Sequence, residues 1–219
     1  MKSLISVLLC LSLSMAFGAR KRPDLFDAIK AGNKKSVLRF LKKSVRINAK
    51  RKGKTPLMTA ARYGRLNIAR ILIEKGANIH VREKSTSQTA LHIAIYNHHP
   101  SIALLLIKKG AFVNERASYE VYRYPGSTTH WTPLHLAARS GQVKVVQQLL
   151  EAGALVNTMD DIQKTPLHFA AGRYLGSTGP YAYEKVTIDT FKARIKEQLD
   201  VVKLLLKRGS LVNTKNIDG

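Results

Sequence analysis

The chain holds 219 residues, with 37 Lys and Arg against 14 Asp and Glu, a formal charge of +23. At 45% hydrophobic residues it can bury a core, which excludes wholesale disorder. Its one cysteine, Cys10, excludes an intramolecular disulfide framework and a cysteine-rich zinc site. The charge calls for an anionic counterpart, whether protein, nucleic acid, lipid or glycan.

The first segment, Met1–Ala19, has Lys2 as a short positive start and an uncharged apolar run over Leu4–Phe17. At its end Ala16-Phe17-Gly18 puts small residues at the -3 and -1 positions of a cleavage site. This is the layout of a secretory signal peptide over residues 1–19. The apolar run is short of the ~20 residues that span a bilayer. The expectation is a secreted or periplasmic mature protein without a membrane span.

From Asp24 onward a pattern recurs. Thr55-Pro56-Leu57-Met58, Thr89-Ala90-Leu91-His92, Thr132-Pro133-Leu134-His135 and Thr165-Pro166-Leu167-His168 align. Each precedes a second apolar segment that closes on Gly76, Gly110, Gly153 or Gly209. Thr is a good N-cap and Pro suits the first helical position, so each unit opens a helix. Pairs such as Val145-Val146 with Leu149-Leu150 put one apolar stripe on a second helix. The units fall at about 24–52, 53–85, 86–127, 128–161 and 162–219. Insertions at about 115–127 and 174–196 account for the two longer intervals.

These motifs, with Gly110–Asn114 and Gly153–Asn157, resemble the ankyrin repeat family over Asp24–Gly219. The resemblance implies an all-α solenoid of stacked helix-turn-helix units joined by β-hairpin loops. Pro23-Asp24-Leu25-Phe26 in place of the motif looks like a starting cap. Met58 for His and Ala90 for Pro should loosen local hydrogen bonding or capping. The β-formers of Tyr119–Tyr124 in the first insertion suggest an elongated hairpin. In the second insertion, Ile188–Ile195 either extends the last helix and covers its open face or forms a loop. The closing Asn216–Gly219 reads as the opening of a further unit.

Family members place partner contacts on the concave first helices and the hairpin tips. Carried over, this implies a ladder of Lys30, Arg62, Tyr96, Arg139 and Arg173, with Tyr63 and Asn97 beside it. Hairpin positions add Lys52, Lys54, Trp131 and Lys164, and the first insertion adds Tyr122 and Arg123. Lys50, Arg51, Lys84 and His130 are hairpin positions as well. Arg, Tyr and Trp are the side chains that most often anchor interfaces. The expected function is a monomeric scaffold that binds an acidic protein partner. The alternative is an anionic polymer, nucleic acid or acidic glycan, on the basic N-terminal region. Arg20–Lys54 carries 14 basic and 2 acidic residues. No enzyme, metal or cofactor is expected. His92, His135 and His168 occupy the family's structural position, and His98-His99 reads as a solvated turn. Asp160-Asp161 lies in a hairpin with no predicted cleft.

Overall fold

The computed structural model describes residues 24–43, 46–120, 128–172 and 188–212. Thr55, Thr89, Thr132 and Thr165 each hold an extended backbone and open a helix: α3 (Pro56–Arg62), α5 (Ala90–Tyr96), α7 (Pro133–Arg139) and α9 (Pro166–Ala171). The histidine three residues on turns its Nδ1 back to the threonine N–H, at 3.3, 3.2 and 3.1 Å for His92, His135 and His168. This is a capping box, in which two otherwise unpaired groups satisfy each other. In the first unit Asp24 and Asp27 exchange the same bonds and open α1 (Leu25–Ala31). Met58 keeps the place of the histidine, and its Sδ accepts the Thr55 N–H at 3.4 Å. The loss is at the far ring nitrogen. His92 Nε2 and His135 Nε2 reach the carbonyls of Glu115 and Lys164 in the following loops, at 3.0 and 3.1 Å. A thioether cannot donate that bond.

Each first helix turns into a second: α2 (Lys34–Lys42), α4 (Leu66–Glu74), α6 (Pro100–Lys108), α8 (Val143–Glu151) and α10 (Ile188–Lys207). The reversal after α5 puts His98 at φ 56°, where three other units use glycine. The first helices pack in one row (α1, α3, α5, α7, α9) and the second helices in another (α2, α4, α6, α8, α10). Between the rows lie Ile29, Leu57, Leu72, Leu91, Leu106, Leu134, Leu149 and Leu205, all fully buried.

The first insertion lengthens a loop into a hairpin, β1 (Ala117–Glu120) antiparallel to β2 (Thr128–Trp131), with Ala117 opposite Trp131. From Ile188 the second insertion is helical and continuous with the second helix of its unit. Its described part leaves Ile195, Leu199 and Leu206 exposed on that unit.

Candidate protein-interaction surface

The C-terminal turns of the first helices and the hairpins beside them carry the predicted contact residues. At the N-terminal end, Lys30, Lys52, Lys54, Arg62 and Tyr63 line one open recess of about 390 Å³, with Phe26, Asp27, Arg51 and Thr59 completing its wall. Lys52 reaches it from a hairpin closed by the Arg51–Lys54 bridge. The Lys30 ammonium sits 5.5 Å from the Tyr63 ring centre, a cation–π distance.

The five cations of the recess are not equivalent. Arg51 is held by Asp24 and Asp27, each at 2.9 Å. Lys54 faces Glu83 at 3.5 Å. Burial works to raise the Glu83 pKa. Hydrogen bonds from Thr86 and Ser85 and the charge of Lys54 outweigh it and bring the value to about 2. Lys30, Lys52 and Arg62 are exposed and have no acidic partner among the described residues.

Toward the middle of the stack the surface changes character. Tyr96 is exposed, and Asn97 folds back to donate to the Ile93 carbonyl at 2.8 Å. The Tyr96 ring lies 5.6 Å from Tyr119, which stacks on Trp131 at 5.0 Å, which meets Phe169 edge-on at 5.0 Å. Trp131, expected as a contact residue, is buried. Its Nε1 donates to Asp160 at 3.0 Å, and the Arg139 guanidinium covers its ring at 5.0 Å. The inserted strand brings Tyr119 over the indole, the far end of its own unit brings Asp160 to the ring edge and the next unit brings Phe169, so the ring serves packing. Arg139 is correspondingly half-buried, as is Lys164. Tyr122, Arg123 and Arg173 lie outside the described residues. The ladder is therefore cationic at its N-terminal end and aromatic in its middle.

Asp160 accepts the N–H groups of its own turn, Ile162 at 3.1 Å and Lys164 at 2.7 Å. Asp161 accepts from Arg116 at 2.8 Å. Burial lowers the pKa of both His92 and His135 to about 4, so they are neutral links between units. Among the described residues no group of three or more His, Cys, Asp or Glu is placed to hold a metal ion.

One set of links was missed by sequence reasoning. In the second to fifth units, the residue eleven positions before the closing glycine reaches back to the end of a preceding first helix; it opens α4, α6 and α8 and lies within α10. Arg65 donates to the Lys30 carbonyl at 2.8 Å and His99 meets the Arg62 carbonyl at 3.2 Å. Gln142 donates to Ile95 and Gln198 to Ala138, both at 2.9 Å. His99 is thus half-buried and bonded instead of standing in a solvated turn. The signal was available in the aligned register, where Arg65, His99, Gln142 and Gln198 all carry an N–H donor.

The fold, the repeated caps and the sequence agree, and the chain belongs to the ankyrin repeat family. A family model for ankyrin repeats (three copies) matches residues 25–117 and 121–177. The chain is 30% identical over 167 residues to the E3 ubiquitin-protein ligase XBAT32 of Arabidopsis thaliana, covering 66% of this chain and 32% of that protein. It is 36% identical over 126 residues to the putative E3 ubiquitin-protein ligase XBAT31 of the same plant, covering 51% and 25%. It is 34% identical over 121 residues to the neurogenic locus notch homolog protein 1 of Xenopus laevis, covering 55% and 4%. The chain thus spans a third or less of these relatives. Ankyrin repeats mediate protein–protein interaction and are typically non-catalytic.

Proposed function

We propose that this chain is a non-catalytic scaffold for an acidic protein partner. The partner's carboxylates meet Lys30, Lys52 and Arg62, and an apolar or aromatic side chain lies against Tyr63. The observation that carries the reading is one recess with three exposed cations that lack acidic partners among the described residues, beside an exposed ring. An open site of this kind gains encounter rate and selectivity from its charge more than affinity. Residues 1–19 would deliver the chain to a secreted or periplasmic location.

The test is capture by the tagged full chain at ~0.3 M salt, where exposed charges more than several ångströms apart are screened. A stoichiometric acidic protein, lost when Lys30→Glu and Arg62→Glu are combined and the melting temperature is unchanged, is the expected result. Both side chains are exposed, so folding should survive the change. Capture unaffected by the double change overturns the site. Polyanions alone, retained at low salt and lost at ~0.3 M, support the anionic-polymer reading on the N-terminal region.

A further inference from the structure

The rim where each second helix ends has a separate chemistry. The position two residues after the closing glycine is Asn78, Phe112, Leu155 and Leu211 in successive units. Phe112, whose ring leans on His80 with centres 4.0 Å apart, is 57% exposed, Leu155 62% and Leu211 57%. Large apolar side chains standing out at one register position in three successive units are unlike single exposed residues scattered over a surface.

Neighbouring loops are fixed edge to edge by asparagine brackets. Asn114 Nδ2 donates to the Gly153 carbonyl at 3.0 Å, and its Oδ1 accepts the Leu155 N–H at 2.9 Å. Asn157 does the same with the Gly209 carbonyl at 3.1 Å and the Leu211 N–H at 2.9 Å. The apolar side chains therefore sit on adjacent loops at one level. Cations stand beside them at the helix ends: Lys108 and Lys109 before Phe112, and Lys207 and Arg208 before Leu211, all exposed. Of the acids beside this row, Glu151 has both oxygens engaged by Gln147 and Gln148 of its own helix, and Glu115 is paired with Arg82 at 2.9 Å. Glu74 stands at the equivalent place in the second unit, where the apolar row has not begun.

We propose that this rim docks on an anionic lipid surface, with Phe112, Leu155 and Leu211 entering the headgroup boundary and the flanking cations on lipid phosphates and carboxylates. Two features favour a bilayer over a protein partner. Four backbone groups of the loops, those of Gly153, Leu155, Gly209 and Leu211, are already closed by Asn114 and Asn157. Side chains that enter a bilayer carry their backbone toward a region where unpaired polar groups are costly, and these four are paired. Apolar side chains ringed by Lys and Arg are also the chemistry of a surface that lies on a membrane without crossing it. No helix among the described residues is long and apolar enough to cross one.

The test uses the full chain with Phe112→Trp and phosphatidylcholine vesicles containing phosphatidylserine, with brominated acyl chains as quencher. The expected result is quenching of the introduced indole beyond that of the buried Trp131 in the unchanged protein. Adding Lys108→Glu, Lys109→Glu, Lys207→Glu and Arg208→Glu should weaken the quenched complex at least about tenfold. An unquenched indole overturns the proposal, whether the protein stays in solution or is held to vesicles by another region such as residues 1–19. If Phe112→Trp disturbs folding, Leu155→Trp is read in the same way. The Lys30 and Arg62 changes should leave quenching intact, so this rim and the recess fail or succeed separately.

Discussion

The fourth and fifth units run in the same register, yet they bury different amounts of it. Gln142, Val143, Leu149, Leu150 and Gly153 align with Gln198, Leu199, Leu205, Leu206 and Gly209. Leu149 and Leu205 face the first helices, and both are fully buried. Val143 and Leu150 are half-buried, whereas Leu199 is 53% and Leu206 42% exposed. The side chains are as apolar in one unit as in the other, so composition does not explain the contrast. α8 lies between α6 and α10, and no described element packs on the far side of α10. In a stack, a side chain's burial is supplied by its neighbour and not by its own unit.

The sharpest way to break this comparison is to remove the same atoms from both kinds of position. Leu149→Ala should cost about 2–5 kcal/mol, because the cavity it leaves is walled on all sides. Leu206→Ala should cost under about 1 kcal/mol, since less area returns to water. Urea unfolding monitored by circular dichroism measures both. Equal costs would mean that α10 has a neighbour in solution.

Acid should loosen the middle of the stack through its histidines. Burial holds His92 and His135 near pKa 4, below the usual 6.5. As pH falls the unfolded chain binds these protons first. The stability tied to the neutral rings is complete above about pH 6.5 and is lost toward pH 4, at roughly 3 kcal/mol for each ring. Urea midpoints between pH 7 and 4 follow this loss. His92→Met, which copies the arrangement at Met58, should flatten part of it.

The smallest effect concerns the cross-unit links. Gln142 and Gln198 both bury an Oε1 without a hydrogen-bond partner. An unpaired buried acceptor costs about 1–3 kcal/mol. Gln142→His, the residue that His99 presents at this register, keeps a donor for the Ile95 carbonyl and removes the orphan oxygen. A gain of about 1 kcal/mol in thermal unfolding is expected. A loss would mean that the amide oxygen is satisfied by water.

Much of the framework was legible before any coordinates. Thr-Pro-Leu-His announces a capped helix start because threonine, proline and histidine each solve a different orphan-group problem within four residues. The glycines mark the reversals because few side chains tolerate positive φ. The basic recess was legible in part, since Lys30, Arg62 and Tyr63 follow from register and Lys52 from its place in a hairpin. Trp131 was misread for a physical reason. Its register is that of an exposed hairpin position, and the groups that enclose it, Tyr119, Asp160 and Phe169, come from an inserted strand, from a loop 29 residues further on and from the next unit. Arg139 was read as a free contact for the same reason, and it is half-buried over that indole.

What the amino-acid order determines alone is whatever depends on neighbours within a few residues: the caps, the turns, the apolar stripe of each helix and the net charge. What only the assembled stack decides is which cations remain unpaired, which aromatic rings are covered and which leucines stay in contact with water. Those outcomes depend on side chains roughly one repeat apart or more, and their meeting is set by how the units lie against one another.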